Sequence, residues 1–473
     1  MRGSELFATF ELTAPADLAS CNITGITADS RDVRPGTIFA ALPGAKLDGS
    51  QFIAAAVAAG AVAVLAPQGA EWPAGVPPRP LIIDIRPRQL LARIAARIAG
   101  PAPDCVVAVT GTNGKTSTVD FLRQFWTLSG RKSASLGTLG LIAPGHRAGG
   151  GLTTPDPVAL AQTMAQLARE GVTHAALEAS SHGLDQFRLD GVAISAAGFT
   201  NLTRDHLDYH VTMAAYRDAK LRLFRELLPD GGPAVASDTL DDETLAMLRD
   251  IAIARRLPFR VVGPRNCVAR PDGQEIQAFG REVFLPLAGR FQADNAVLAA
   301  ALAEETGIAD PLALFGRLQG VRGRMELAAR LPNGAAAYVD YAHTPDALTR
   351  LIAALRPHTE GRLVIVFGAG GDRDPGKRPL MGEAAKAADI AIVTDDNPRS
   401  EDPATIRAAI RAAIPEAQEI GDREHAIATG LEMLRRGDVL VVAGKGHEPG
   451  QIVGGVTLPF DDASVIRKLA GVR

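Results

Sequence analysis

The densest chemical signal in this 473-residue chain is the run Gly111-Thr112-Asn113-Gly114-Lys115-Thr116-Ser117. An apolar stretch, Val106 to Thr110, precedes it, and a helical pattern, Ser117 to Trp126, follows. That order of strand, loop and helix is how a chain cradles phosphate. Loop N–H groups point at phosphate oxygens, glycines let the backbone approach, and the helix N-terminus adds about half a positive charge. Lys115 would grip the β- and γ-phosphates of ATP, and Thr116 would hold Mg²⁺ through its hydroxyl. The loop departs from the general motif at Val109, where glycine is expected. Glu178 closes the short strand pattern Thr173 to Leu177, and Thr200-Asn201-Leu202-Thr203-Arg204-Asp205-His206 closes the next, Ile194 to Phe199. Both lie where the C-terminal ends of parallel strands bind ligands. Thr116 and Glu178 supply the oxygen ligands that Mg²⁺ favours. By itself His206 reads as a cap or a core hydrogen-bonder. Lys220, inside the helical pattern Tyr216 to Phe224, reads as a solvated charge.

A second group of chemical residues lies near the end of the chain. Three strand patterns there run into polar, glycine-rich loops at Gly368 to Arg378, Asp395 to Arg399 and Gly444 to Glu448. In a parallel sheet those loops share one edge and build a pocket. Arg373 and Arg399 would take carboxylates through paired hydrogen bonds, and Asp396 and Glu448 would take ammonium groups. The pocket suits a ligand that carries each charge more than once. The chain has only eight lysines against 42 arginines, and Lys115, Lys377 and Lys445 sit in glycine-containing loops. Such positions suit a compact charge beside phosphate or carboxylate, though chance placement explains them equally well.

These residues need a scaffold, and its class is α/β, because β-branched runs alternate with alanine- and leucine-rich helical patterns. Length favours several cores, and three domains are expected. The first, residues 1–101, holds strands at Gly36 to Leu42, Ala61 to Ala66 and Leu81 to Ile85 and a helix at Gln89 to Ala99, before Gly100-Pro101-Ala102-Pro103 breaks the pattern. The second, residues 102–325, is a central P-loop NTPase-like parallel sheet whose last helix is Asn295 to Thr306. The third, residues 326–473, is Rossmann-like, with strands at Ala336 to Val339, Arg362 to Phe367, Ile390 to Thr394 and Val439 to Ala443. Thr153-Thr154-Pro155-Asp156 reads as a helix start with Asp156 as its N-cap. Gly145 to Gly151 is expected to be a mobile loop rather than a site.

Composition narrows the partners. A net charge of −3 gives no field to attract nucleic acid or an anionic membrane, so a small soluble substrate is favoured. Cys21, Cys105 and Cys267 are too scattered for a disulfide framework or a zinc site, which implies a reducing compartment. The N-terminus lacks a long apolar segment, and the stretch Ile53 to Pro67 is broken by glycine, so a cytoplasmic chain without membrane insertion is expected. A monomer is expected. A dinucleotide-binding oxidoreductase is disfavoured, since no G-x-G-x-x-G follows a strand. A nucleotide switch without synthetic chemistry remains the rival from another class; its hydrolysis would be indifferent to amino acids.

The segments TGTNGKT, LEASSHGLDQFRL, NLTRDHLDYH, GRFQADN, VRGRME and VDYAHTPD, in this order, resemble the Mur ligases, which add amino acids to peptidoglycan precursors. The likeness spans essentially the whole chain. It implies three domains, binding in turn a UDP-sugar peptide, ATP with Mg²⁺, and an amino acid. It also implies that Glu178 and His206 bind Mg²⁺ and that Lys220 is carbamylated to N6-carboxylysine as a further metal ligand. Asn295 is implied at the adenine, Arg324 at the phosphates and Asp340 at the ribose; Gln292 stands where the family commonly has asparagine. Ser30, Thr153, Thr154, Ser180, Gln186 and Arg188 match the positions that hold UDP-N-acetylmuramoyl-L-alanyl-D-glutamate. The ADSR segment at Ala28 to Arg31, the GDRD loop and the DNPR motif resemble the family's third ligase, which makes UDP-N-acetylmuramoyl-tripeptide, and Asp396-Asn397-Pro398-Arg399 is similar to the motif associated with meso-2,6-diaminopimelate. Arg373, Gly444 and Glu448 complete the contacts expected for that amino acid, and lysine-adding relatives lack the arginine corresponding to Arg399. The likeness implies an acyl-phosphate route with domain closure. Lysine-adding and folylpolyglutamate-type ligases are the nearest alternatives.

Overall fold

The computed structural model describes residues 1–472 apart from positions 12, 14, 45, 46, 148 and 150. Two positions of the Gly145 to Gly151 stretch, expected to be a loop, therefore lie outside the described residues. The chain divides into two compact units, one of residues 1–262 and 301–309, the other of residues 263–300 and 310–473.

The first unit contains two sheets. Gly25–Thr27, Thr37–Ala40, Ala63–Pro67 and Leu81–Asp84 form a four-stranded parallel sheet in sequence order. The helix Pro87–Ala99 covers one face of it, opened by a proline at its first position, where no N–H is missed. Leu90, Leu91, Ile94 and Ala95 recur at helical spacing and bury against Ile38, Ala40 and Leu65. The second sheet has eight strands in the spatial order Phe259–Val262, Ala234–Ser237, Ala196–Phe199, Cys105–Thr110, His174–Glu178, Ser133–Gly137, Gly140–Ala143, His146–Arg147. The first six are parallel; Gly140–Ala143 runs back against them, and His146–Arg147 turns again to run with them. The two central strands, Cys105–Thr110 and His174–Glu178, are buried almost throughout, which explains their near-continuous apolar sequence. Because both run the same way as Ala196–Phe199, their C-terminal ends deliver the phosphate loop, Glu178 and Thr200 to one edge.

The second unit is built on a six-stranded sheet ordered Glu326–Arg330, Ala336–Asp340, Val439–Ala443, Leu363–Phe367, Ile390–Val393, Gln418–Glu419, parallel except for its first strand. Alternate residues serve opposite faces. Leu363, Ile365 and Phe367 meet the helices Pro345–Leu355, Lys377–Ala385 and Pro403–Arg411, whereas Val364 and Val366 meet Arg423–Glu432 and Asp462–Ala470. A three-stranded antiparallel meander, Arg265–Arg270, Gly273–Ala278 and Arg281–Leu285, and a hairpin, Gly450–Val453 with Val456–Pro459, complete this unit. Neither was expected from sequence. Among the described residues no helix is long and apolar enough to cross a membrane.

Candidate active site

In the first unit the loop after Cys105–Thr110 is held open by contacts to the neighbouring strand end. Thr200 Oγ1 donates to the Asn113 carbonyl at 2.6 Å, the Asn113 N–H donates to Asn201 Oδ1 at 2.9 Å, and the Thr112 N–H donates to the Asn201 carbonyl at 2.8 Å. Gly111 has φ +142°, and a Cβ there would collide with Thr200 Oγ1, so only glycine lets the loop approach so closely. The helix Lys115–Leu128 begins from Gly114 in a left-handed conformation and has no side-chain cap. Its first N–H groups are thus left for an anion.

Two lysines converge on this loop. Lys115 Nζ donates to the carbonyls of Gly111 and Thr112, both at 2.9 Å. Lys220 Nζ donates to the same Gly111 carbonyl at 2.8 Å and lies 4.4 Å from the centre of the Tyr216 ring. Lys220 is 1% exposed, which overturns its reading as a solvated helix charge. Burial pushes its amine well below the usual lysine value, and Lys115 adds to the fall while Asp205 opposes it. A buried lysine of this kind holds its proton less tightly than a solvated one, which favours reaction at nitrogen. Glu178 is buried at the end of its strand; one carboxylate oxygen accepts the Thr138 N–H at 2.8 Å and the other accepts Thr138 Oγ1 at 3.2 Å. His206 neither caps with its side chain nor enters the core. It sits at φ +51° before a short helix, half-exposed, its ring 5.0 Å from that of His182. Among the described residues no group of three His, Cys, Asp or Glu side chains is arranged to hold a metal.

Next to Glu178 lies a polar network. Thr154 Oγ1 donates to the Glu178 carbonyl at 2.8 Å and lies 2.9 Å from Ser180 Oγ, and Thr153 Oγ1 lies 3.2 Å from Thr138 Oγ1. Arg188 donates to the Thr154 carbonyl and to Gln186 Oε1, both at 2.7 Å. Five of the six positions expected to hold the nucleotide-sugar peptide are therefore brought together. The sixth, Ser30, opens a short turn after Gly25–Thr27 in the other sheet of the same unit. Asp156 caps the helix Pro157–Arg169 as expected, accepting the N–H groups of Val158 and Ala159.

In the second unit, Asp340 ends its strand and accepts the N–H groups of Met325 and Ala342 at 2.7 and 2.8 Å. Desolvation pushes its carboxyl up against the pull of Arg324. The Arg324 guanidinium stacks 4.6 Å over the Tyr341 ring. Asn295 is buried in the helix Arg290–Glu305, and Gln292 on the same helix donates to the Arg324 carbonyl at 2.9 Å while its Oε1 is buried without a partner.

The three loops expected to make a pocket do share an edge, because Leu363–Phe367, Ile390–Val393 and Val439–Ala443 are parallel. Arg399 Nη1 donates to the Gly371 carbonyl at 2.6 Å, tying the first loop to the second. Asn397 Nδ2 donates to Glu448 Oε2 at 2.9 Å, tying the second to the third. Asp396, Asn397 and Pro398 are buried, Glu448 is partly open, and Arg373 is exposed. At Gly444, φ is +116° and a Cβ would stand 2.5 Å from Asp396 Oδ2, so this loop too needs glycine.

Two supports of this pocket went unread in the sequence. Arg423, fully buried and paired with Asp462, donates to the carbonyls of Asp395 and Ala443, the residues from which two of the loops spring. The hairpin Gly450–Val453 with Val456–Pro459 straps the Asp396–Arg399 segment: Gln451 Nε2 donates to the Asp396 carbonyl, the Ile452 N–H to Asn397 Oδ1, the Arg399 N–H to the Ile452 carbonyl, and the Gly454 N–H to the Arg399 carbonyl. Arg399 itself is at φ +52°, a conformation that costs a non-glycine residue about 1–2 kcal/mol and that the strap holds. The two glycines at 454 and 455 between β-rich runs were the signal that could have revealed the hairpin.

Three family patterns match the chain in succession: Mur ligase family, catalytic domain, at residues 22–98; Mur ligase middle domain at 109–303; and Mur ligase, glutamate ligase domain, at 323–446. The chain is a Mur ligase. As a member of this family it has the three-domain fold, centred on the four-, eight- and six-stranded sheets. This Mur ligase is 51% identical over 467 residues to a UDP-N-acetylmuramoyl-L-alanyl-D-glutamate--2,6-diaminopimelate ligase of Rhizobium meliloti (strain 1021), covering 96% of both chains. It is 53% identical over 471 residues to the protein of that name from Caulobacter vibrioides (strain ATCC 19089 / CIP 103742 / CB 15), covering 95% of this chain and 96% of the relative. A solved structure of a ligase of that name matches with a TM-score of 0.74 at 32% identity, covering 100% of this chain and 99% of the other. The Mycobacterium tuberculosis folylpolyglutamate synthase matches with a TM-score of 0.62 at 19% identity over 82% of this chain and 95% of its own, a likeness of fold alone.

Proposed function

We infer that this Mur ligase joins meso-2,6-diaminopimelate to the D-glutamate γ-carboxylate of UDP-N-acetylmuramoyl-L-alanyl-D-glutamate, consuming ATP, as a cytoplasmic step of peptidoglycan precursor synthesis. The observation that carries the reading is the end of the amino-acid pocket, where Arg399 is strapped into place beside buried Asp396 and Asn397. Its guanidinium answers a distal carboxylate that lysine lacks, and the half-identical relatives carry diaminopimelate in their names. The working divisions are residues 1–101 for the nucleotide-sugar peptide, 102–325 for ATP and 326–473 for the amino acid, in a monomer.

The γ-phosphoryl group of ATP passes to the substrate carboxylate, giving an acyl phosphate and ADP. Lys115 and the N–H groups of Gly111 to Ser117 neutralise phosphate charge, while Arg324, Asn295 and Asp340 take the phosphates, adenine and ribose. Ser30, Thr153, Thr154, Ser180, Gln186 and Arg188 hold the acceptor so that its carboxylate faces the triphosphate. Arg373, Asp396, Asn397, Pro398, Arg399, Gly444 and Glu448 hold the amino acid. Its amine attacks the acyl carbon, a C–N bond forms, phosphate leaves with the C–O electrons, and the ammonium proton is released.

The donors fit Mg²⁺ in the way this ion is usually held, by few protein oxygens with phosphates and water making up the rest. Thr116, Glu178, His206 and a carbamylated Lys220 would hold it. Bound there, it would neutralise the charge that develops on the transferring phosphoryl group. The buried Lys220 amine, its proton weakly held, can add to CO₂ through nitrogen with loss of one proton, turning a cation into an oxygen ligand.

The test is phosphate release from the full-length protein with ATP, Mg²⁺ and the UDP-dipeptide, comparing meso-diaminopimelate with L-lysine. Release is expected with diaminopimelate and requires all three substrates. Release with lysine alone would defeat the specificity, and release indifferent to both amino acids would leave a nucleotide switch.

A further inference from the structure

Lys445 is 0% exposed. An ammonium group loses several kcal/mol of hydration on burial unless partners replace the water. Here the partners are two residues that the proposed reaction places on the amino acid: Nζ donates to Asn397 Oδ1 at 3.1 Å and approaches Glu448 Oε2 at 3.4 Å. Asn397 is the hub of the arrangement. Its Oδ1 accepts from Lys445 Nζ and from the Ile452 N–H at 2.9 Å, and its Nδ2 donates to Glu448 Oε2 at 2.9 Å. Two donors converging on one end of an amide leave the oxygen only one place to be, so the amide cannot turn over. Its N–H₂ must then face Glu448.

The consequence reaches the one carboxylate of this group that opens to the pocket. With Oε2 engaged by Asn397 and Lys445, the Glu448 side chain, 36% exposed, is fixed with Oε1 available to a ligand ammonium. The loop geometry serves the same end: Gly444 at φ +116° and Gly446 at φ +54° flank Lys445 and let the side chain turn inward. A chain so rich in arginine uses lysine here because a compact charge fits a closed site that a forked guanidinium would overfill.

We propose that Lys445 is a positioning residue for amine recognition: without touching the amino acid, it locks the Asn397 amide and the Glu448 carboxylate into the acceptor that binds the substrate ammonium. This role rests on the ligase reading above and adds to it a residue that sets affinity for the amine alone.

The test is steady-state kinetics of the full-length Lys445→Met variant, measuring KM separately for diaminopimelate, ATP and the UDP-dipeptide. Loss of a charge-assisted contact is expected to raise the diaminopimelate KM by about ten- to a hundredfold. The other two KM values should stay within about twofold, a split that general unfolding would not produce. Combining Lys445→Met with Asn397→Ala should cost no more than the worse single variant, because both act through one network. An unmoved diaminopimelate KM, or a deficit shared by all three substrates, would overturn the role. If Lys445→Met does not fold, Lys445→Gln, which keeps a donor, takes its place, and its smaller deficit must also fall on diaminopimelate alone. A wild-type protein that ignores diaminopimelate would overturn the ligase reading, and the role with it. A wild-type protein that uses it beside a variant with unchanged kinetics would overturn the role of Lys445 only.

Discussion

Among the described residues, each of the two units buries one lysine amine, and the surroundings differ in kind. Lys220 meets a backbone carbonyl and an aromatic face, with Lys115 nearby as a repelling charge. Lys445 meets an amide oxygen and a carboxylate. Withdrawal from water alone therefore does not tell what a buried cation is for. A site whose direct partners are dipoles, with another cation nearby, loosens the amine's hold on its proton and favours chemistry at nitrogen. A site that offers an amide oxygen and a carboxylate uses the lysine as a brace.

Attacking Lys220 should have the largest effect. Lys220→Ala is expected to lose roughly a thousandfold in kcat, with partial recovery in millimolar acetate or propionate, whereas the same acids should do nothing for Lys445→Met. Phosphate-release assays decide it, and full activity of Lys220→Ala without added acid would remove the carbamate. A ¹³C-carbonate NMR signal for a lysine carbamate should likewise vanish in Lys220→Ala and persist in Lys445→Met.

The brace can be broken from behind as well. Arg423→Met leaves Asp462 buried without its partner and should cost about 3–5 kcal/mol of stability, read as a fall in unfolding midpoint. Arg399→Ala should lower kcat/KM for diaminopimelate by roughly a hundredfold and touch L-lysine far less; equal losses would deny the arginine its carboxylate. The smallest effect concerns a partly buried histidine. Burial, with Arg324 and Arg322, pushes His447 down from 6.5 to about 4, and its Nδ1 is buried without a partner. Between those values the unfolded chain binds the proton and the folded chain does not. Stability should therefore be complete above about pH 6.5 and decline as pH falls towards 4. His447→Gln, followed by denaturant titration at several pH values, should flatten that slope.

What was legible in the sequence depended on how far the deciding partners lay along the chain. The phosphate loop could be read because strand, glycines, lysine and helix follow one another within some twenty residues. The pocket could be read because parallel strands must end on a common edge, wherever their sequences lie. Lys220 could not be read as buried, since the carbonyl that receives it is 109 residues away and its own helix carries no marked apolar stripe around it. Lys445 stands out in the sequence only as a lysine between glycines, because the partner that defines its role, Asn397, lies 48 residues upstream. The sequence suggests a cap or core role for the His206 side chain, whereas its left-handed backbone lifts the ring out of both. The meander at residues 265–285 and the hairpin after Glu448 were passed over because alternation in short antiparallel strands is a weak signal beside the long apolar runs of the parallel sheets.

The strap across Arg399 carries a lesson for redesign. Because that arginine owes its backbone posture to residues more than fifty positions later, grafting the four residues Asp396 to Arg399 into a lysine-adding relative would import the right side chains onto an unsupported frame. Converting one selectivity into the other calls for moving the distant ribbon along with the motif, so that amino-acid choice in this fold behaves as a two-piece trait.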